Sequence, residues 1–252
     1  MATNKAVLSY PRKCFAVIGL SLLAMSSMAA DLVAYTTEWP PYNYEEKGEI
    51  RGVSTEILRA TCAEAKLVCE IRLVPWARAY ATAQTTPNTL AFATARIPQR
   101  EKDFLWVGPI LPRVTWVYGA AGAEKKINTF KELAAHKVGV IRGEAPIKDL
   151  ESEGVPASAM VVDSSNALVL RQLSKGWVDA MVDTELGMAW NLREAGMPAS
   201  SVVKLMKLSD KGAYYFALNL KSDEGVQAKM QSALERLRAS GALSRIVGPT
   251  GR

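Results

Sequence analysis

From residue 32 onward the chain alternates short apolar runs with segments of helical spacing. Leu32-Val-Ala-Tyr-Thr36 reads as a strand. Ser54 to Lys66 reads as a helix, with Ile57, Leu58 and Thr61 on one face and Ser54 as its expected N-cap. Glu70 to Val74 is strand-like, Trp76 to Ala83 forms a short helix after Pro75, and Thr89 to Thr94 is a nearly continuous apolar run of the kind a buried strand shows. The order β-α-β-α-β predicts a compact parallel-sheet unit.

A second series follows the strand-like Thr115 to Tyr118. Phe130–Ala135, Asn166–Lys175 and Thr184–Ala195 have helical spacing. The segment Arg142-Gly143-Glu144-Ala145-Pro146 opens another helix. Val138–Ile141, Met160–Val162, Asp179–Val182 and Val202–Leu205 read as strands. A β-rich run, Tyr214 to Leu218, precedes a last helix over Glu224–Ser240, with Val226, Met230, Leu234 and Leu237 on one face and Gly241 as its stop. Repeats, low-complexity stretches and a flexible linker are all lacking. Two α/β units joined without a linker imply that strands carry the chain between lobes, which makes a hinge with a ligand cleft. The expected division is residues 1–29 as a removed signal peptide, 30–113 with 214–252 as lobe 1, and 114–213 as an inserted lobe 2.

The signal-peptide reading comes from the first thirty residues. Lys5, Arg12 and Lys13 precede the apolar run Cys14–Met25, and Ser26-Ser27-Met28-Ala29-Ala30 supplies small residues for cleavage. Twelve apolar residues are too few to span a bilayer. An uncleaved anchor is the competing reading, and a lipoprotein is disfavoured because Cys14 begins the run. The chain is therefore expected in the periplasm. The formal charge is +6, from 31 basic and 25 acidic residues. Removing three basic residues with the leader leaves about half of that excess, without the clustered basic face that a nucleic-acid partner requires.

Two cysteines then remain, Cys62 and Cys69, with six residues between them. In an oxidising compartment a disulfide is their simplest state, and two free buried thiols are the alternative. His136 is the single histidine, so a His-based metal site or catalytic triad has no residues to draw on. No metal or cofactor is expected.

The candidate chemistry begins at Ala95-Arg96-Ile97-Pro98-Gln99-Arg100-Glu101, directly after a strand. Guanidinium groups at a strand's carboxyl end, where open α/β folds bind small ligands, read as an anion clamp. A solvated turn is the alternative.

Several landmarks in order give the chain a family likeness: Trp39-Pro-Pro-Tyr42, Gly48-Glu-Ile-Arg-Gly52-Val, the Cys62/Cys69 spacing, the arginine turn followed by Asp103-Phe-Leu-Trp-Val-Gly-Pro109, Lys137-Val-Gly-Val140 with Gly143, and Trp177-Val-Asp-Ala-Met-Val-Asp183. Over essentially all of the mature chain it resembles the periplasmic solute-binding proteins of polar amino-acid ABC transporters, whose type II binding fold is two-lobed with a two-strand hinge. The resemblance implies that Arg100 holds a ligand α-carboxylate and Asp183 its α-ammonium, while Trp39 stacks on the ligand and Tyr42 lies in the same aromatic loop. For Asp183 a helix N-cap, and for Trp39 a loop aromatic packed on Pro40, are the plainer readings.

The departures from that pattern also matter. Ala93, Ala95 and Ile97 stand where the family carries hydroxyls, and Arg96 is added. Gly143-Glu144-Ala145-Pro146 replaces a Gly-Thr/Ser-Thr/Ser turn, exchanging a hydroxyl for a carboxylate. Trp76 and Arg78 are a stacking platform and a further cation, or simply a helix start with a buried Trp. The resemblance thus implies a small zwitterionic or anionic solute, with Arg96 or Arg78 meeting an additional acidic group. The protein is expected to be a monomer that delivers its solute to a membrane permease. The alternatives are an enzyme on the same fold, similar to the periplasmic cyclohexadienyl dehydratases, with Asp183, Glu144 or Glu185 as acid or base, and an orphan sensor.

Overall fold

The computed structural model describes residues 1–2, 30–122 and 127–248, so the segment read as a signal peptide lies outside the described residues. The first half of the fold starts with β1 (Leu32–Thr36), the hairpin β2 (Tyr44–Glu46) and β3 (Glu49–Arg51), and α1 (Val53–Ala65). It continues through β4 (Cys69–Leu73), α2 (Trp76–Thr85), β5 (Thr89–Ala95) and β6 (Phe104–Pro112). The second half comprises β7 (Thr115–Ala120), α3 (Phe130–Leu133), β8 (Val138–Ile141), α4 (Ala145–Ser152), β9 (Met160–Asp163), α5 (Asn166–Ser174), β10 (Ala180–Thr184), α6 (Glu185–Glu194) and β11 (Val202–Ser209). The chain then returns to the first half as β12 (Ala213–Asn219), α7 (Val226–Ala239) and α8 (Ala242–Val247).

Two five-stranded sheets result, ordered β4-β1-β5-β12-β6 and β11-β7-β10-β8-β9. In the first, β1 runs parallel to β4 and β5, which is the expected β-α-β-α-β unit, while β12 pairs antiparallel with β5 and β6. In the second, β8 is parallel to β9 and β10, and β7 is antiparallel to β10 and β11. The chain passes between sheets at residues 113–114 and again at 210–212. Every residue of β5 is buried, as its continuous apolar run requires of a central strand. Leu32, Phe92 and Phe216 lie at the heart of one core, and Val138, Leu150 and Val182 belong to another beneath the second sheet.

The structure corrects some element ends. Ser54 does not cap α1. Gly52 does, at φ 117°, and Ser54 is buried inside the first turn. A β-carbon at Gly52 would lie 2.3 Å from the Tyr42 carbonyl oxygen, so only glycine allows this close approach of two backbones. The last long helix starts at Val226 rather than Glu224, and Gly241, left-handed at φ 72°, divides it from α8. Strand β6 and helix α8 lack a clear period in the sequence. β6 alternates imperfectly and carries two prolines, and α8 is under two turns long. Cys62 and Cys69 form a disulfide that ties α1 to β4, with Cα atoms 6.2 Å apart.

Candidate functional site

The carboxyl ends of β1, β5, β8 and β10, two from each sheet, converge on one cavity. Its position is where α/β sheets bind ligands.

The first half contributes a cation and aromatic rings. After β5 the chain turns through Ile97 into a short 3₁₀ turn, Pro98–Arg100, with Pro98 at its first position. This brings Arg100 inward, 8% exposed, with its guanidinium carbon 5.7 Å from the Trp76 ring centre and 5.2 Å from that of Tyr80. Nη1 donates to the Ala95 carbonyl at 3.3 Å, and Nη2 donates to the Gly143 carbonyl of the opposite half at 2.9 Å. Burial pulls the Arg100 pKa below its usual value, opposed by the Tyr80, Glu144 and Asp103 side chains. Trp39 lines the cavity with a buried Nε1 that has no hydrogen-bond partner, and it stacks on Tyr42 with ring centres 4.0 Å apart. Within β5, Ala93 faces the cavity at φ 56°, a conformation costly for a non-glycine residue.

The second half contributes carboxylates. Asp183 is 4% exposed. Its Oδ1 accepts from the Thr184 amide at 2.7 Å, and its Oδ2 accepts from Asn191 Nδ2 at 3.1 Å. The α6 cap is Thr184, whose Oγ1 accepts from the Gly187 amide, so the capping role falls to the neighbour of Asp183. A β-carbon at Gly187 would lie 2.4 Å from Asp183 Oδ1, which explains how closely α6 backs this carboxylate. Burial raises the Asp183 carboxyl to about 7, against the pull of its two hydrogen bonds. Glu144, just ahead of α4, is likewise held up at about 7 by burial, against Arg100 and Arg113.

Among the described residues, side-chain hydrogen bonds from Arg100, Trp76 and Tyr42 join the halves across the cavity. Arg100 and Trp76 both donate to the Gly143 carbonyl, Trp76 Nε1 at 3.1 Å, and Tyr42 Oη donates to Thr184 Oγ1 at 3.1 Å. Of the residues singled out in the sequence, Trp39, Trp76, Arg100, Glu144 and Asp183 therefore line one cavity, with Tyr42 and Gly143 bonded at its edge. Arg96 and Arg78 do not line it. Arg96 Nε donates to Glu101 at 2.9 Å and its guanidinium lies over the Trp106 and Tyr215 rings, while Arg78 is exposed on α2. Alternation explains this: Arg96 is one residue past the inward-facing Ala95 and points to the other side. Sequence reading missed Arg113, Thr115, Asn166 and Tyr214, all lining the cavity. Arg113, an isolated charge in an otherwise apolar stretch, carried a signal that could have been read.

Comparison with known proteins agrees with this architecture. The chain is 23% identical over 235 residues to the amino-acid-binding protein AabA of Dichelobacter nodosus, covering 91% of this chain and 90% of that protein. Among solved structures, a histidine kinase sensor domain with similarity to periplasmic binding proteins superposes with a TM-score of 0.77 at 19% identity, over 85% of this chain and 93% of the other. An ancestral amino-acid-binding protein, described as a precursor of cyclohexadienyl dehydratase, gives 0.74 at 18% identity, over 88% and 95%. At such identities the structures speak for the fold, which is the two-lobed type II periplasmic binding architecture. The model of the bacterial extracellular solute-binding proteins, family 3, matches residues 32–248, and the chain belongs to that family.

Proposed function

We propose that the protein captures a small amino-acid-like zwitterion in the periplasm, by closure of two lobes about the crossovers at 113–114 and 210–212, and presents it to an ABC-type permease. The observation that carries this reading is the pairing of buried Arg100 from one sheet with buried Asp183 from the other around a single cavity. A ligand carboxylate takes the free N–H groups of Arg100 as a charge-assisted fork, and a ligand ammonium takes Asp183. Neither ligand charge alone reaches both Arg100 and Asp183, so the closed state is favoured most by a ligand that carries both charges. Trp39 and Trp76 supply apolar walls for the rest of the molecule. The names of its relatives, an amino-acid-binding protein among them, point the same way.

Calorimetry with amino acids, matched simple carboxylates and matched amines tests this. Saturable binding of zwitterions, with at least tenfold weaker binding of either single-charge analogue, is the expected result. Equal binding of the carboxylates would overturn the role of Asp183. Recovery of the bound solute unchanged after prolonged incubation is also expected. Turnover of prephenate or arogenate would instead establish an enzyme, with Glu144 or Asp183 as its acid.

A further inference from the structure

The cavity has a third polar corner that a carboxylate and an ammonium leave unused. Arg113 follows β6 at the crossover and is 3% exposed. Its Nη2 donates to Asp149 on α4 and its Nη1 donates to Ser209 Oγ at 3.4 Å, beside the returning crossover. Among the described residues, the rest of its five-donor fork makes no further hydrogen bond. Thr115, two residues on, is 2% exposed, and its Oγ1 is buried without a partner. Tyr214, just past the other crossover, is 5% exposed and forms no side-chain hydrogen bond among the described residues. All three line the same cavity as Arg100 and Asp183.

Leaving the buried Thr115 hydroxyl without a partner is costly, so a molecule that supplies acceptor oxygens here is favoured over one that presents only methyl groups. A buried guanidinium beside two hydroxyl donors matches an oxyanion in particular. The Asp149 carboxylate, 19% exposed, contacts Arg113 on one side and partly offsets its charge. Glu144 also faces this corner, with Arg100, Arg113, Asp183 and Tyr214 as its charged or titratable neighbours. Its raised carboxyl keeps a proton readily near neutrality, and in that form it donates to an arriving anion instead of repelling it.

We infer that Arg113, Thr115 and Tyr214 form a second anion subsite at the hinge end of the cleft, and that the preferred solute is an amino acid with an additional carboxylate on its side chain. This rests on the reading of Arg100 and Asp183 as the clamp for the α-carboxylate and α-ammonium. It moves the role expected of Arg96 or Arg78 to an arginine that lines the cavity. Because Arg113 holds both crossovers, an anion bound there also braces the hinge.

Calorimetry with L-aspartate and L-glutamate against L-asparagine and L-glutamine decides the matter, since each amide matches its acid in shape. The wild-type protein is expected to favour the acids at least tenfold. Arg113→Gln should bring that ratio close to one. The paired variant Thr115→Val with Tyr214→Phe, which keeps both arginines, should reduce the ratio at least threefold. It serves as the test if Arg113→Gln, with Asp149 left unpartnered, does not fold. Amino acids that bind without preference for the acids would overturn this subsite and leave the clamp standing. Failure of every zwitterion to bind would overturn the clamp and the subsite together.

Discussion

The two halves of the molecule share an architecture, each a five-stranded sheet with helices, yet they bring opposite chemistry to the cavity. The first half supplies Arg100 with Trp39 and Trp76 around it. The second supplies Asp183 and Glu144. The rigid anchoring also differs, because the disulfide lies in the first half, between α1 and β4. This division teaches how a binding cleft can couple recognition to closure. A ligand of both signs would add a bridge to the hydrogen bonds that already join the halves.

The largest expected break in this symmetry is Arg100→Ala, which removes the buried cation opposite Asp183 on the cavity. Solute affinity should fall at least about 100-fold, the scale of truncating one partner of a buried charge pair. An intact circular-dichroism spectrum alongside unchanged affinity would remove Arg100 from the site. Asp183→Asn probes the opposite half and should cost about 30-fold for ligands with an ammonium, at the low end of the same range, while sparing simple carboxylates. Equal losses for both classes would mean that Asp183 acts by holding α6 in place.

Replacing both Cys62 and Cys69 by Ser tests the anchoring difference. A bridge closing so short a loop contributes about 2–3 kcal/mol, so the chemical-denaturation midpoint should fall while solute affinity is kept. Hydrogen exchange should quicken first at α1 and β4. If exchange quickens equally in β8 and β10, the halves unfold as one unit.

The smallest expected effect is in the pH dependence of the ligand-free protein. Glu144 and Asp183 have folded carboxyls raised to about 7 from ordinary values of 4.5 and 3.8. The folded state therefore holds protons more tightly than the unfolded chain. Their contribution is fully present below about pH 4 and is lost as pH rises through 7. The denaturation midpoint should drop between pH 5 and pH 8, and Glu144→Gln should flatten that drop. A wild-type midpoint that rises over this interval would contradict the burial of these carboxyls. The exposed ion-paired carboxylates Glu70, Glu101 and Asp210 are lowered instead, so they act in a more acidic window.

Much of the fold was legible because its elements are dictated locally. The apolar run of β5, the pair Ile57 and Leu58, and the stripe Val226, Met230, Leu234 supply core contacts, and Thr61 is buried on the same face of α1. What escaped was set by contacts distant in sequence. Gly52 caps α1 in place of Ser54 because the Tyr42 backbone presses against it, a contact across ten residues of turn and hairpin. The arginines show the same limit. Arg96 and Arg100 occupy one turn and look equivalent in sequence, but only Arg100 turns toward the cavity, while Arg96 settles over Trp106 and Tyr215.

By itself, the sequence determined the kind of protein this is: the alternation of strands and helices, two units without a linker, a close cysteine pair and the landmarks of a solute-binding family. These follow from periodicity and local spacing, which survive without knowledge of neighbours. Tertiary structure alone decided which charges meet. Arg113 and Tyr214, a hundred residues apart, face one corner because both chain crossovers pass the same point, and Asp183 comes opposite Arg100 because two sheets end at one cleft. Side-chain direction and long-range pairing belong to the packed molecule, and the ligand reads those.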